Sequence, residues 1–249
     1  MFTRIPLWPK IYTRKKLVKN IVITGATGDI AKEIVSLLSK TNDHLILVSR
    51  SRTALEKLYG QLANVTLLTN DELLTAEQSY DVDILINNAG FGIFKDFTEL
   101  TDSEITEQFV INTLMPIQLT RQLKPRLQLI NIASIAGKLP TRKSSIYAAS
   151  KAALITFSDA LRMENPQLIV TTVNTGPVRT KFHKNNGDYL NKVDKSAISA
   201  AKVADKIVNN FGKRKRELNL PWTLSTAAKL RSLFPSLVDF LSTRFFNFK

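Results

Sequence analysis

The chain has 249 residues, of which 44% are apolar and 22% charged, and this composition excludes an intrinsically disordered chain. It has no cysteine, which excludes disulfides and thiolate chemistry, and we expect a cytoplasmic protein. No apolar run reaches the roughly 18 residues of a membrane-spanning helix, and the N-terminus lacks the apolar core of a signal peptide. The net charge is +14, but residues 1–19 carry +6 of it and residues 213–249 another +6, so the body is nearly neutral and nucleic acid is not an expected partner.

Short runs of Val, Ile and Leu alternate with helix-length amphipathic segments, which is the pattern of βαβ units around a buried parallel sheet. Strands are predicted at 20–24, 44–49, 64–69, 82–87, 127–133, 168–174 and 215–220. Helices are predicted at 28–40, 51–62, 71–79, 102–124, 145–164 and 199–211. The predicted fold class is α/β, a doubly wound parallel seven-stranded sheet with helices on both faces, known as the Rossmann fold. Its ligand crevice is expected at the carboxyl ends of the strands, where strand order reverses.

The chain is predicted to have three parts. Residues 1–19 are a basic N-terminal extension, residues 20–222 form a single Rossmann-type domain, and residues 223–249 form an amphipathic helical segment, broken at Pro235, that packs on or near the ligand site. Residues 180–197 are predicted to form a long loop. Both basic ends also contain aromatic residues, so two interpretations stay open for them: contact with an anionic membrane surface, or packing on the body.

The first predicted strand leads directly into a glycine turn and then a helix. Gly25 permits the tight turn, Gly28 lets backbone amides approach a pyrophosphate, and the helix N-terminus offers partial positive charge to the phosphates. This context predicts a dinucleotide site. Its expected contacts at the turn are Gly25, Thr27, Gly28, Asp29 and Ile30. The carboxylate of Asp29 would repel a pyrophosphate, so we expect it to point outward at the helix start.

The end of the second predicted strand indicates which dinucleotide binds. An NAD enzyme places an acid there to hold the ribose 2′-hydroxyl, whereas an arginine accommodates a 2′-phosphate. The strand ends in Ser49 and Arg50, and no acid occurs before Glu56. We therefore predict NADP(H) in preference to NAD(H), with Arg50 as the main 2′-phosphate contact and Ser49 or Arg52 assisting.

Tyr147 and Lys151 are four residues apart in a predicted helix, so both side chains lie on one face. A free phenol has a pKa of about 10, and a neighbouring ammonium group favours its ionised form. The pair is therefore a candidate for proton transfer near neutral pH. Tyr12 and Lys16 have the same spacing but precede the glycine turn, and we interpret them as surface residues.

Further polar residues follow the predicted strands in a recognisable order. Ser134 closes the fifth strand, and Asn112 lies in the helix before it. The fourth and sixth strands are followed by Asn88, Ala89 and Gly90, and by Pro177, Val178 and Thr180. Together with the glycine turn and the Tyr147–Lys151 pair, this order resembles the short-chain dehydrogenase/reductase family, from about residue 20 to residue 220. Asp29 stands where that family usually has a second glycine. The stretch between residues 64 and 82 is shorter than is usual in the family, and the resemblance implies Asp71 or Asn70 as the contact on the adenine side.

The resemblance implies an oxidoreductase that transfers a hydride between NADP(H) and a small carbonyl or alcohol substrate, with residues 20–222 as the catalytic domain. It implies that Tyr147 is the general acid or base and that Lys151 binds the cofactor ribose and lowers the pKa of Tyr147. Ser134 would polarise the substrate carbonyl, and Asn112 would hold a water in the proton relay. Further cofactor contacts are implied for Asn88, Ala89, Gly90, Tyr147, Lys151, Pro177, Val178 and Thr180.

The resemblance also suggests a homodimer or homotetramer formed through the helices at 102–124 and 145–164. No metal site is predicted, because two histidines without cysteine or a suitable carboxylate spacing do not form one. Two other functions stay open: an NADP-binding regulator or scaffold on the same fold, and a reductase of a lipid-like substrate at a membrane surface. Substrate specificity is expected in residues 91–97, 135–142 and 180–197.

Overall fold

The computed structural model describes residues 18–75, 80–183 and 197–245. Seven of its strands form one parallel sheet in the order β3-β2-β1-β4-β5-β6-β9. These strands are β1 (Asn20–Thr24), β2 (His44–Ser49), β3 (Val65–Thr69), β4 (Ile84–Asn87), β5 (Gln128–Ser134), β6 (Ile169–Thr175) and β9 (Glu217–Leu220). Two short strands, β7 (Val178–Arg179) and β8 (Ile198–Ser199), form a separate parallel pair. The predicted doubly wound sheet is confirmed.

Helices cover both faces of this sheet, and the structure describes nine α-helices. They are α1 (Asp29–Leu38), α2 (Arg52–Tyr59), α3 (Asn70–Thr75), α4 (Asp102–Phe109), α5 (Met115–Leu123), α6 (Ser145–Glu164), α7 (Ala200–Val208), α8 (Trp222–Leu233) and α9 (Pro235–Phe245). The segment predicted as one helix at 102–124 is α4 and α5 joined by a π-helical turn at Val110–Leu114. Such turns often occur at functional sites, because they rotate the following residues relative to the preceding helix.

Two apolar clusters hold the helices to the sheet. Ile21 and Ile23 of β1 face one cluster, and Val22 faces the other, as the two-residue period of a strand requires. All three side chains are fully buried. Burying a side chain of this size stabilises a fold by roughly 1.5–3 kcal/mol. The near-continuous apolar runs of the sequence are thus explained by a sheet covered on both faces.

Strand order reverses at β1, which pairs with β2 on one side and with β4 on the other. The connections that leave the carboxyl ends of β1 and β4 diverge to opposite faces, and a crevice opens between them. The observed strands begin or end within two residues of the predicted boundaries. The predicted N-terminal extension lies outside the described residues except for 18 and 19, as do most of the predicted loop at 180–197 and the predicted helix end at 76–79.

The last described residues form two consecutive helices, α8 and α9. Phe234 separates them and Pro235 opens the second, in agreement with the predicted break, because a proline fits the first turn of a helix but not its interior. A helix both long and apolar enough to span a bilayer does not occur in the described part of the chain.

Candidate active site

A cavity of about 940 Å³ opens at the carboxyl edge of the sheet. Four adjacent strands contribute to it at their carboxyl ends. Gly25 follows β1, Ser49 ends β2, Asn88 follows β4 and Ser134 ends β5. Tyr147 of α6 lies on the same wall. The cavity is therefore at the position where a doubly wound sheet binds its ligand.

The glycine turn forms the floor of the cavity. Gly25 has a φ of +61°, and a Cβ there would lie 2.7 Å from the Cα of Ala89, so both backbone conformation and space require glycine. Gly28 is the N-cap of α1 and makes no side-chain cap hydrogen bond. The first backbone N–H groups of α1 therefore remain available to an anion. The predicted contacts that border the cavity here are Gly25, Thr27, Gly28, Asp29 and Ile30. These donors fit a dinucleotide pyrophosphate.

The carboxylate of Asp29 does not point outward as expected, but contacts two neighbouring groups. Its Oδ2 accepts a hydrogen bond of 2.7 Å from the backbone N–H of Lys181, and its Oδ1 lies 3.4 Å from Nζ of Lys32. The carboxylate thus spans from the start of α1 to the turn at Lys181–His183. These two partners would offset its repulsion of a phosphate held at the glycine turn.

The end of β2 offers one available arginine. Ser49 and Arg50 border the cavity, and Arg50 is exposed and forms no ion pair with any other described residue. Arg52 instead binds both carboxylate oxygens of Glu72, at 2.6 and 2.5 Å, and the carbonyl oxygen of Leu67. The Arg52 guanidinium holds the pKa of Glu72 down at about 2.

These contacts change the predicted set of ligand residues at this end of the cavity. Arg52 does not border the cavity, so its predicted assisting role is wrong: its guanidinium is already held by Glu72. On the adenine side, Asn70 borders the cavity and Asp71 does not.

Tyr147 and Ser134 both border the cavity, and aromatic rings surround Tyr147. The Tyr147 ring is buried and packs edge-on against Phe94, with centroids 5.3 Å apart, and lies 5.8 Å from the ring of Phe182. The Ser134 hydroxyl donates to the carbonyl oxygen of Thr175 at 3.3 Å and accepts from the N–H of Ala136 at 3.1 Å. Because the hydrogen bond that Ser134 donates to Thr175 is long and therefore weak, its hydroxyl hydrogen can turn toward a ligand at little cost.

Lys151 lies one helical turn after Tyr147 and is buried. Its Nζ donates to the carbonyl oxygen of Ile132 at 3.0 Å, and an ammonium has two further N–H groups that a ligand in the cavity can accept. Burial disfavours the charged form and lowers the pKa of Lys151 to about 8. A Cβ on Gly90 would lie 3.1 Å from this Nζ, so the glycine leaves the ammonium room on that side.

Asn112 is the one predicted catalytic residue that does not border the cavity. It lies in the π-helical turn, fully buried, and its Nδ2 donates to the carbonyl oxygen of Phe91 and to Oγ of Ser150. Its Oδ1 accepts from the N–H of Phe91 at 3.0 Å. Both amide hydrogens are therefore used, and one lone pair of Oδ1 remains. That oxygen lies 3.0 Å from the point that a Cβ on Gly90 would occupy.

The remaining predicted cofactor contacts form the walls on either side. The side-chain amide of Asn88 donates to the carbonyl oxygens of Thr24 and Gly25, both at 3.0 Å, and so joins the ends of β1 and β4. The predicted contacts on the walls that border the cavity are Asn88, Ala89, Gly90, Pro177, Val178 and Thr180.

Apolar side chains from several segments line the rest of the cavity. They are Phe91, Phe94, Ile111, Met115, Leu139, Phe182, Leu224, Ala227, Leu230, Val238 and Leu241, with Glu107 and Thr141 as polar members of the same wall. Several lie in the ranges predicted for specificity, and those of α8 and α9 lie in the segment 223–249 that was expected to pack on or near the ligand site. Ile111 and Met115 belong to neither group. A helical spacing of apolar residues, the only available signal, indicates a core face equally well.

Comparisons with known proteins agree with this geometry. The sequence profile described as short chain dehydrogenase matches residues 19–191. Dehydrogenase/reductase SDR family member 7B of Mus musculus is 31% identical over 265 residues, which span 92% of this chain and 80% of that protein. The matched residues 19–191 include the glycine turn, Asn112, Ser134, Tyr147 and Lys151.

Two solved structures are similar in fold. One is a short-chain dehydrogenase from Sphingobium yanoikuyae in complex with NADPH, with a TM-score of 0.74 and 24% identity over 90% of this chain and 95% of that one. The other is a short-chain dehydrogenase/reductase from Burkholderia phymatum in complex with NAD, with a TM-score of 0.78 and 20% identity over 88% and 94%. On the profile match and the mouse relative, this chain belongs to the short-chain dehydrogenase family and is an oxidoreductase.

Proposed function

We propose that the protein is an NADP(H)-dependent oxidoreductase that transfers a hydride between the nicotinamide and a carbonyl or alcohol substrate. One observation carries this proposal: Tyr147, Ser134 and Lys151 border the same cavity as the glycine turn. A proton donor, a carbonyl-binding hydroxyl and a dinucleotide site in one cavity are the parts that such a reaction needs.

The residues present fit the cofactor along the whole cavity. The free N–H groups at the start of α1 would hold the pyrophosphate, and Arg50 with Ser49 would hold the 2′-phosphate. The two spare N–H groups of Lys151 would bind the ribose hydroxyls. The carboxamide of the nicotinamide would lie against Val178 and Thr180. When bound, the nicotinamide supplies or accepts the hydride, and the protein supplies position and proton.

The side chains around the reacting carbon have separate roles. Ser134 would turn its hydroxyl hydrogen from Thr175 to the substrate oxygen and so polarise the carbonyl. Tyr147 would donate a proton to that oxygen during reduction and take it back during oxidation, and the positive charge of Lys151 would favour the phenolate. Phe94 and Phe182, which pack around Tyr147, would exclude bulk water.

We propose a positioning role for Asn112, since both of its amide hydrogens are already used. It holds the backbone of Phe91 and with it Gly90, next to Nζ of Lys151. Its remaining Oδ1 lone pair could accept one hydrogen bond from a water beside Lys151. Asn112 would therefore hold the water of the proton relay only by accepting a hydrogen bond from it, and not by donating one.

The outer faces of the central helices offer a surface for self-association. Val110 and Leu114 of the π-helical turn and Met163 at the end of α6 are exposed. We propose a homodimer or homotetramer through these helices. Light scattering on wild type and on Val110→Glu with Leu114→Glu tests this, because buried like charges would separate the subunits. An unchanged mass would contradict it.

The catalytic proposal is tested with Tyr147→Phe. NADPH consumption is measured with a panel of ketones and aldehydes, and NADPH binding is measured by fluorescence. We expect wild type to consume NADPH and the variant to lose about 100-fold or more of the rate, with cofactor binding unchanged. Tyr80→Phe, a tyrosine outside the cavity, is the matched control. Full activity of Tyr147→Phe would contradict the assigned role, and binding without consumption by wild type would favour a regulator.

A further inference from the structure

The two C-terminal helices present an unusual apolar outer surface. Of sixteen large apolar side chains that are exposed in the described part of the chain, seven lie on α8, α9 or the residue between them. We call four of these, which are 55% to 73% exposed, the C-terminal apolar patch: Trp222, Leu233, Phe234 and Leu237. Soluble monomers seldom leave such a cluster facing water, so the patch indicates a partner.

The patch is continuous with the wall of the active-site cavity. Leu224 and Val238 line the cavity from the inner side of the same two helices. Leu230 and Leu241 both line the cavity and are exposed, at 48% and 39%. A helix that covers a core has a polar outer face. Here apolar surface leads from the cavity, past Leu230 and Leu241, to the outside of the protein.

The charge on the two helices indicates which partner fits. Asp239 is the one acid in residues 222–245, and Arg231 binds its carboxylate with Nε to Oδ1 at 2.6 Å. Lys229 and Arg244 are exposed, so these residues carry a net charge of +2. Apolar side chains between cations match the acyl and headgroup layers of an anionic lipid surface. A second copy docked by a two-fold axis would bring the same cations together, which is unfavourable.

We propose that the C-terminal apolar patch docks on an anionic lipid surface, and that the substrate of the cavity is a long-chain lipid carbonyl that enters from this surface past Leu230 and Leu241. The second part rests on the proposed function. In the reduction, NADPH gives a hydride to the carbonyl carbon and Tyr147 gives a proton to its oxygen, which leaves an alcohol and NADP⁺. The apolar wall formed by Phe94, Met115 and the two helices would hold the chain.

Docking is tested by sedimentation with vesicles. Wild-type protein is mixed with phosphatidylcholine vesicles that contain or lack phosphatidylserine, at low and high salt. We expect sedimentation with the anionic vesicles at low salt and its loss at high salt, since screening weakens the attraction. No sedimentation at low salt, or equal sedimentation with both vesicle types, would overturn docking on an anionic surface.

Two sets of variants assign the binding to the patch. Leu233→Ser, Phe234→Ser and Leu237→Ser are combined, and the matched control combines Leu58→Ser, Phe97→Ser and Leu74→Ser, which are exposed apolar residues elsewhere. To test the role of charge, a double variant Lys229→Glu with Arg244→Glu is compared with a control double variant, Lys206→Glu with Lys213→Glu. The two control lysines lie toward the amino edge of the sheet. We expect about a tenfold or greater loss of vesicle affinity in the patch variants only. Equal losses in the control variants would overturn the assignment.

The substrate class is tested by turnover of methyl ketones of increasing chain length. Burial of each added methylene should raise kcat/KM by about fourfold until the cavity is filled. A flat or falling series would overturn the long-chain substrate.

Failure of the proposed function would give a different result. The protein would consume no NADPH with any carbonyl but would still sediment with anionic vesicles, and this persistence would support the docking surface. Self-association of wild type that the patch variant abolishes, without vesicle binding, would show a second copy as the partner and overturn the proposal.

Discussion

Asp29 at the start of α1 and Lys181 in the turn after β7 are joined by a hydrogen bond of 2.7 Å from backbone N–H to carboxylate. This contact connects the glycine turn, which would hold the cofactor phosphates, with the turn that carries Phe182. Phe182 in turn lies against the ring of Tyr147. A glycine, the usual residue of the family at this position, has no carboxylate to make the connection.

Replacing Asp29 by alanine should therefore affect the substrate side of the cavity. A hydrogen bond to a charged group contributes about 1.5–3 kcal/mol, less where water competes, so we expect KM for a carbonyl substrate to rise about fivefold. NADPH affinity should stay equal or improve, because a negative charge leaves the phosphate site. Asp29→Asn is the control, since its amide oxygen still accepts from Lys181 while it loses the same charge at the helix start. Identical kinetics for both variants would contradict this role of the contact.

Arg50 should determine the choice between the two nicotinamide dinucleotides. Its guanidinium borders the cavity and has no ion pair among the described residues, so it is available to a 2′-phosphate. We expect Arg50→Ala to weaken NADPH binding by about 10- to 100-fold, which corresponds to about 1.5–3 kcal/mol for a charge-assisted contact. NADH binding should change little. Fluorescence titrations with both cofactors measure this, and wild type that binds NADH as tightly as NADPH would contradict the preference.

The buried ammonium of Lys151 should make stability depend on pH above neutrality. Burial lowers the pKa of Lys151 from 10.5 to about 8. Between these values the unfolded chain binds a proton that the folded protein does not, so the free energy of unfolding rises with pH. The gain across the window is roughly 3 kcal/mol for the protein without cofactor. Denaturant unfolding of wild type and of Lys151→Met from pH 7 to pH 11 measures it. A constant difference between the two proteins would contradict it.

Gly25 and Gly212 allow a comparison of how much stability is lost when a side chain is added in the left-handed region of the backbone. Both have positive φ, +61° and +72°, but a Cβ on Gly25 would lie 2.7 Å from the Cα of Ala89, whereas nothing lies within 4 Å of a Cβ on Gly212. Gly212→Ala should cost about 1–2 kcal/mol of unfolding free energy from conformation alone. Gly25→Ala should cost more and also weaken NADPH binding. Equal losses in denaturant unfolding would show that the contact with Ala89 relaxes without cost.

Most of the sheet could be predicted from the sequence because buried parallel strands need uninterrupted apolar runs. β1 and β2 match their predicted bounds, and each of the other five strands differs by no more than two residues at either end. The π-helical turn at Val110–Leu114 could not be predicted, because its hydrogen-bond register depends on the packing around Asn112. Arg52 was misjudged for a similar reason: its partner Glu72 follows β3, and only the pairing of β2 with β3 brings the two together.

The sequence by itself determined the features that depend on short spacings: the glycine turn at the start of α1, the basic end of β2, and Tyr147 one turn before Lys151. The tertiary structure decided the features that join distant segments. Among these are the ring contacts of Tyr147 with Phe94 and Phe182, the hydrogen bond from Lys181 to Asp29, and the side chains of α8 and α9 in the cavity wall. The reason is physical: backbone geometry positions residues within one turn, whereas contacts between segments depend on how the whole chain packs.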